Sequence, residues 1–148
     1  MKILFLALLS FSFNSWSQST WTETYSHLVN EHRSDLDMKK LVYSEGIEAI
    51  ARKHSLDMAL QDRSFGHDGF SIRCDKVRQL FKRTNRCGEI VAWGHDGPKD
   101  VFEGWMSSPG HRKNIENSHY THSGMGFAIS EKGHIYWTQI FIEVVPGP

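Results

Sequence analysis

The stretch "IYWTQIFIEVV", residues 135–145, is apolar on both faces of an extended chain. A strand of that kind needs cover on each side, so it claims a central place in a layered fold. Just before it, "GMGFAI", residues 124–129, puts Met125, Phe127 and Ile129 on one face and only Gly124, Gly126 and Ala128 on the other. A face of small residues lets another element approach closely. The linking "SEKGH" offers Gly133 for a positive-φ turn position, so the two strands read as a hairpin. A third strand is expected around "EIVAWG", residues 89–94.

Helical patterns fill the chain before the hairpin. Thr20-Trp21-Thr22-Glu23 reads as a capping box, followed by Tyr25, Leu28, Val29 and His32 on one helical face. A second helix is expected from near Ser44, with Ile47, Ile50, Ala51, His54 and Met58 in one stripe. Asp75 can cap a third, with Val77, Leu80 and Phe81 inward. Pro98 suits the first turn of a fourth. Its apolar arc is Val101, Phe102, Trp105 and Met106, and Pro109-Gly110 is expected to end it. No repeat, low-complexity tract or linker interrupts this order. The fold class is α+β: a small antiparallel sheet with helices over both faces.

The start of the chain bears on compartment. Met1-Lys2 precedes "ILFLALLSFSF", residues 3–13, and then "NSWSQ". Ser15 and Ser17 occupy the minus-three and minus-one positions for a cut before Gln18, the pattern of a secretory signal peptide. The alternative is a buried N-terminal helix. The apolar run is too short to span a bilayer. A cut there leaves 131 of the 148 residues, enough for one domain, residues 18–148, with a real core. There is no lipoprotein cysteine pattern, so the expected product is soluble, with no transmembrane segment once the signal is removed, and monomeric. Whether it stays in a periplasm or leaves the cell depends on an outer membrane that no residue reports.

Acidic and basic residues balance at 17 each, which gives no bulk attraction for nucleic acid or anionic membrane. An exported chain meets an oxidising environment, so Cys74 and Cys87 are expected to pair. Their bridge would close a loop of about 14 residues and stabilise by roughly 3 kcal/mol in the chain-entropy account. Two free buried thiols are the alternative, since spacing does not reveal whether the geometry permits a bond.

Nine histidines make metal binding worth weighing. There is no Gly-x-Ser-x-Gly elbow, and Ser107 and Ser108 before a histidine are not triad geometry. A bonded cysteine pair also removes a Cys-His nucleophile. His-Glu-x-x-His is absent, and His119-x-x-His122 falls in what reads as a solvated loop. His32 and His54 lie on apolar helix faces as core or rim residues. His27, His95 and His134 have no partner pattern.

Three residues stand out by position. His67 lies in "FGHDG", Glu89 in "CGEIVAW", and His111 on the Pro-Gly corner of "SSPGHRKNI". All three fall at element ends, where a scaffold presents side chains to a cleft. Two imidazoles and a carboxylate suit a divalent ion such as Zn²⁺ or proton transfer. They equally suit a buried hydrogen-bond network that only holds the core together.

The pieces "LVNEHR", "ARKHSLDMA", "FGHDG", "CGEIVAWG", "VFEGWMSSPGHRKNI", "HSGMGFA" and "YWTQIF" resemble, in order, the CAP superfamily. That superfamily takes in cysteine-rich secretory proteins, venom antigen 5 and plant pathogenesis-related proteins. The short form here looks like the bacterial extracellular, SCP-like branch, and the likeness covers about residues 25–142. It implies an α-β-α sandwich and a central cleft with two histidines and two acids. His67 matches the first histidine, Glu89 the glutamate of the family's Gly-Glu-Asn, and His111 the second histidine. On this resemblance the corner aims His111 into the cleft opposite His67. Arg112 and Asn114 are expected, on their own chemistry, to brace the corner through hydrogen bonds.

Two departures stand out. Ile90 replaces the family's asparagine. The second acid has no match, and Glu103 is a weak substitute on the same helix. Members of the fold are linked to lipid or sterol binding, proteolysis and signalling, so family likeness does not settle activity. The leading expectation is a secreted, non-catalytic module that binds an extracellular ligand, lipid or protein, with His67 and His111 able to hold Zn²⁺ or another divalent cation. One alternative is a zinc-dependent hydrolase with Glu89 as general base. Another is a structural, envelope-associated protein. Trp21 and Trp93 suit either ligand contact or the core.

Overall fold

The computed structural model describes residues 12–61 and 64–147. Its order is α1 (Ser12–Asp35), β1 (Val42–Tyr43), α2 (Glu45–Ala59), α3 (Phe70–Arg78), β2 (Thr84–Trp93), α4 (Pro98–Ser107), α5 (Pro109–Ile115), β3 (His122–Ile129) and β4 (Ile135–Val144). The sheet order is β1-β3-β4-β2. β4 is therefore central, paired antiparallel with β3 on one side and β2 on the other. Helices cover both faces, which is the α-β-α sandwich. The sheet departs from all-antiparallel at its margin, where the two-residue β1 runs parallel to β3.

The alternation of β4 sorts the two layers. Trp137 and Phe141 enter a core with Tyr25 and Val29 of α1, Val101 and Trp105 of α4, and Ile115 of α5. Ile140 and Ile142 point the other way, against Ile47 and Ala51 of α2 and Val77 of α3. The small-residue face of β3 lies under α2. A Cβ added at Gly126 would sit 2.5 Å from the Cα of Arg52, and one at Gly124 would collide with the backbone of Ile47 and Glu48. Ser55 fastens the contact: its hydroxyl lies 3.1 Å from the Gly126 carbonyl and 2.8 Å from Thr138 Oγ1.

Several element ends differ from the sequence reading. The helix expected at Thr20 extends back to Ser12, through the expected cut before Gln18, so the capping box does not open it. The apolar start up to residue 11 lies outside the described residues. Ser44 does cap α2, its side chain accepting from Ile47 N. Asp75 caps nothing. It sits inside α3, which begins at Phe70 after Gly69 takes a φ of 77°. That helix stops at Arg78, leaving Leu80 exposed and Phe81 half-buried against the second core. Pro109 opens α5 where the chain was expected only to turn.

Cys74 of α3 and Cys87 of β2 form a disulfide with Cα atoms 6.1 Å apart. On the other face of the sheet, Arg33 is a fully buried guanidinium that donates to the carbonyls of Lys39, Ile115, Asn117 and Tyr120. Gly126→Ala should test how closely α2 is pressed on β3. We expect a loss of about 1–3 kcal/mol, the usual result of overpacking a contact that backbone atoms line. Urea unfolding of the variant beside wild type would read it, and an unchanged midpoint would contradict the packing described.

Candidate ligand-binding cleft

The alternation of β2 sends Ile90 and Ala92 into the core beneath α1, α4 and α5. Glu89 therefore faces the α2–α3 layer. A carboxylate at such a place is costly unless paired. The Glu89 side chain is 1% exposed, and both its oxygens are taken. Arg73 of α3 grips it as a fork, Nε donating to Oε2 at 2.6 Å and Nη2 to Oε1 at 2.7 Å. The third arm of Arg73, Nη1, donates to the Asp68 carbonyl at 2.7 Å. The segment before α3 is thus tied to the ion pair.

His67 sits in that segment. Its Nδ1 lies 2.9 Å from Glu89 Oε1, and a carboxylate oxygen accepts, so Nδ1 is the donor. Nε2 is left with the lone pair, on a side chain 52% exposed. The turn is closed by Phe70 N donating to the His67 carbonyl. A buried carboxylate thereby orients a surface imidazole.

His111 arrives from the other layer. It is the third residue of α5, which packs beside β2, the free edge of the sheet. Burial lowers its pKa from the ordinary histidine value, and the nearby charge of His67 lowers it further. With its pKa lowered, His111 is uncharged at neutral pH, one ring nitrogen bearing a hydrogen and the other a lone pair. Arg112 Nε donates to the Met106 carbonyl at 2.6 Å, joining α5 to the end of α4. Asn114 donates to the Gly110 carbonyl within α5, and its Oδ1 lies 3.4 Å from Tyr120 Oη.

The remaining sequence candidates lie elsewhere. Ile90 is fully buried on the opposite sheet face, so its replacement of the family's asparagine is absorbed by the core. Glu103 is exposed and lies 3.9 Å from Lys99, one turn back on α4. Ser107 Oγ donates to carbonyls of its own helix. His119 and His122 go separate ways, one toward Glu143 and the other onto Thr121 and the Phe81 ring. His32 bonds Glu116, His27 pairs with Glu31, and His95 lies by Asp100. Among the described residues no three His, Cys, Asp or Glu are grouped to hold a metal ion. Glu89 is committed to Arg73 and His67.

Trp21 belongs to the core, stacked on Trp137 and tilted against Phe127. Trp93 does not. It is 51% exposed, stacks on Tyr136 and meets His134 edge-on. Tyr136 in turn meets Phe65, two residues before His67. An exposed aromatic strip therefore runs on the Glu89 side of the sheet. Arg73 was missed from sequence. The available signal was the cost of Glu89 itself, since a buried acid demands a cation, and Arg73 adjoins the cysteine that bonds Cys87.

The layered fold and this cleft define the class, and sequence comparison gives the family. The pattern of the Cysteine-rich secretory protein family, CAP, matches residues 27–141. The chain belongs to that family. It is 35% identical over 129 residues to the uncharacterized protein YkwD of Bacillus subtilis, covering 85% of this chain and 48% of that protein. It is 33% identical over the same length to the uncharacterized membrane protein YlbC of that organism, covering 85% of this chain and 35% of the relative. The chain thus spans about half or less of the curated relatives it matches. An SCP-domain extracellular protein of Bacillus anthracis superposes with a TM-score of 0.75 at 25% identity, over 93% of this chain and 45% of that one. An outer surface protein of Borrelia burgdorferi gives a TM-score of 0.71 at 17% identity, over 83% and 92%, a likeness of fold.

Two outcomes follow. Arg73→Met removes one partner of a buried pair and should cost about 3–5 kcal/mol, whereas Arg73→Met/Glu89→Leu, which removes both, should cost clearly less. Urea titration of both variants checks this, and equal losses would refute the pairing. The second outcome concerns pH. Burial, first among its causes, lowers the pKa of His54, whose side chain is enclosed between α2 and the Gly66 carbonyl. The unfolded chain then binds the proton that the folded chain refuses. The stability linked to neutral His54 is complete above about pH 6.5 and is lost as pH falls through the lowered folded value. The unfolding midpoint should fall between pH 7 and 5, with a shallower fall in His54→Gln.

Proposed function

We propose that this CAP domain is an exported binding module in which His67 and His111 together hold a divalent cation at the mouth of the cleft. The observation that carries the reading is the double engagement of Glu89 by Arg73 and His67. A carboxylate so held is a poor general base, because each oxygen already accepts from the protein. It is a good orienter, because it turns His67 so that Nε2 is outward. Carboxylate-backed imidazoles of this kind are the usual support for a metal-binding histidine.

The donor set fits a labile ion and not a closed structural zinc. Two nitrogens leave most positions to water or to a ligand. Such an ion would supply a positive anchor for a ligand's oxygen atoms. The strip of exposed Phe65 and Trp93 with half-buried Tyr136 between them would offer apolar contact alongside. Export is supported by the charged and apolar start with its Ser15 and Ser17 cleavage pattern, by the Cys74–Cys87 disulfide, and by the extracellular relative of the same fold. No described helix is long and apolar enough to cross a membrane.

Zinc titration by calorimetry near neutral pH tests the reading. One-to-one binding is expected in wild type and should be absent in His67→Ala/His111→Ala. The affinity should fall as pH drops and protons compete for the imidazoles. A well-folded wild type that takes up no zinc would overturn the cation site. Metal-dependent hydrolysis of a peptide or ester panel would overturn the non-catalytic part.

A further inference from the structure

The stretch from Lys76 to Arg86 holds five of the chain's 17 basic residues and none of its 17 acids. A chain that is neutral as a whole therefore carries a local excess of positive charge. The stretch runs from the second half of α3 into the start of β2. Two of its five bases are paired, Arg78 with Asp75 at 2.9 Å and Arg86 with Glu143 at 2.7 Å, and among the described residues Lys76, Lys82 and Arg83 have no acidic partner. All three are exposed.

Apolar side chains stand among these charges. The helical path of α3 continues past Arg78, since Gln79 N donates to the Asp75 carbonyl, Leu80 N to Val77 and Phe81 N to Arg78. Ile72, Lys76 and Leu80 are therefore successive members of one i, i+4 row. Arg73, Cys74 and Val77 are the buried residues of the helix, so this row lies at the surface. Ile72 is 58% exposed and Leu80 48%. One exposed apolar residue needs no explanation. Two on a single row, with a lysine between them and Lys82 and Arg83 just beyond, make an amphipathic surface. A soluble polyanion would reward the charges alone. A bilayer interface rewards both, because its headgroups attract the bases and its acyl boundary takes the apolar tips.

We propose that this face docks on an anionic phospholipid surface. Lys76, Lys82 and Arg83 meet the headgroup phosphates, and Ile72 and Leu80 enter the interface. The contact uses neither His67 nor His111, so it stands or falls apart from the cation reading.

The test is co-sedimentation of the protein with vesicles of phosphatidylglycerol and phosphatidylcholine in equal parts, beside vesicles of phosphatidylcholine alone. We expect binding to the anionic vesicles only, weakening as salt rises. Each base removed should weaken it about fivefold, so Lys82→Ala/Arg83→Ala should lose about 25-fold. Ile72→Ser/Leu80→Ser changes two exposed positions, so the fold should persist by circular dichroism while binding falls about tenfold. Lys132→Ala removes an exposed base from the turn at the other end of β4 and should bind as wild type does. The proposal is overturned by no binding to the anionic vesicles, by equal binding to the neutral ones, by undiminished binding in either double variant, or by an equal loss in Lys132→Ala.

Discussion

The cleft depends on one buried carboxylate. Glu89 sits on an edge strand with its side chain turned into the layer between sheet and helices, and Arg73 neutralises it from α3. Cys74, next to Arg73, bonds Cys87, two residues before Glu89. Adjacent residues of one short helix are thus fastened to positions two apart on one strand, once by charge and once covalently. A buried ion pair adds little net stability, because desolvation cancels much of its attraction. Its effect here is positional. It sets the start of α3, and through the Asp68 carbonyl and the His67 ring it sets the loop that carries the exposed imidazole.

Much of this architecture was legible in residues whose local chemistry and global role agree. The two-faced apolar strand at 135–145 had one sensible place, and it is the central strand. Gly124 and Gly126 announced a close neighbour, which is α2. Ser44 as a cap and Pro98 as a first-turn residue act over distances of a few atoms, so sequence alone reveals them. The misreadings share a different cause. Thr20, Asp75 and Pro109 each carry a valid local signal that a neighbouring constraint outweighs. Thr20 lies in a helix already under way. Asp75 falls after the turn that Gly69 permits. Pro109 is as good at starting a helix as at ending one, and the Ser108 backbone, extended before it, lets α5 begin at once.

The site was half legible for the same reason. His67, Glu89 and His111 occupy element ends, and their likeness to a family pattern singled them out. Arg73 matches no motif that drew notice and lies on a helix whose start was misplaced, so its inward direction was hidden. The consequence of Ile90 was hidden too. A polar residue lost beside Glu89 in sequence sounds like damage to the cleft, yet strand alternation puts residue 90 on the far face. There it packs with Tyr25 and Phe141 in the first core. Period-two geometry, more than proximity along the chain, decides what a substitution in β2 can reach.

The two histidines at residues 54 and 67 show how burial divides labour among like side chains. Both use one ring nitrogen to bind the protein, His67 to Glu89 and His54 to the carbonyl of Gly66. What differs is where the second nitrogen is left. For His67 the ring stands half in solvent, where water reaches it. For His54 the ring is enclosed, so Nδ1 is closed off from solvent. An exposed acceptor selects for charge and coordination, because water competes with anything weaker. An enclosed one is held neutral, because charging it would cost its burial. The same imidazole therefore serves as a surface group at residue 67 and as a buried one at residue 54.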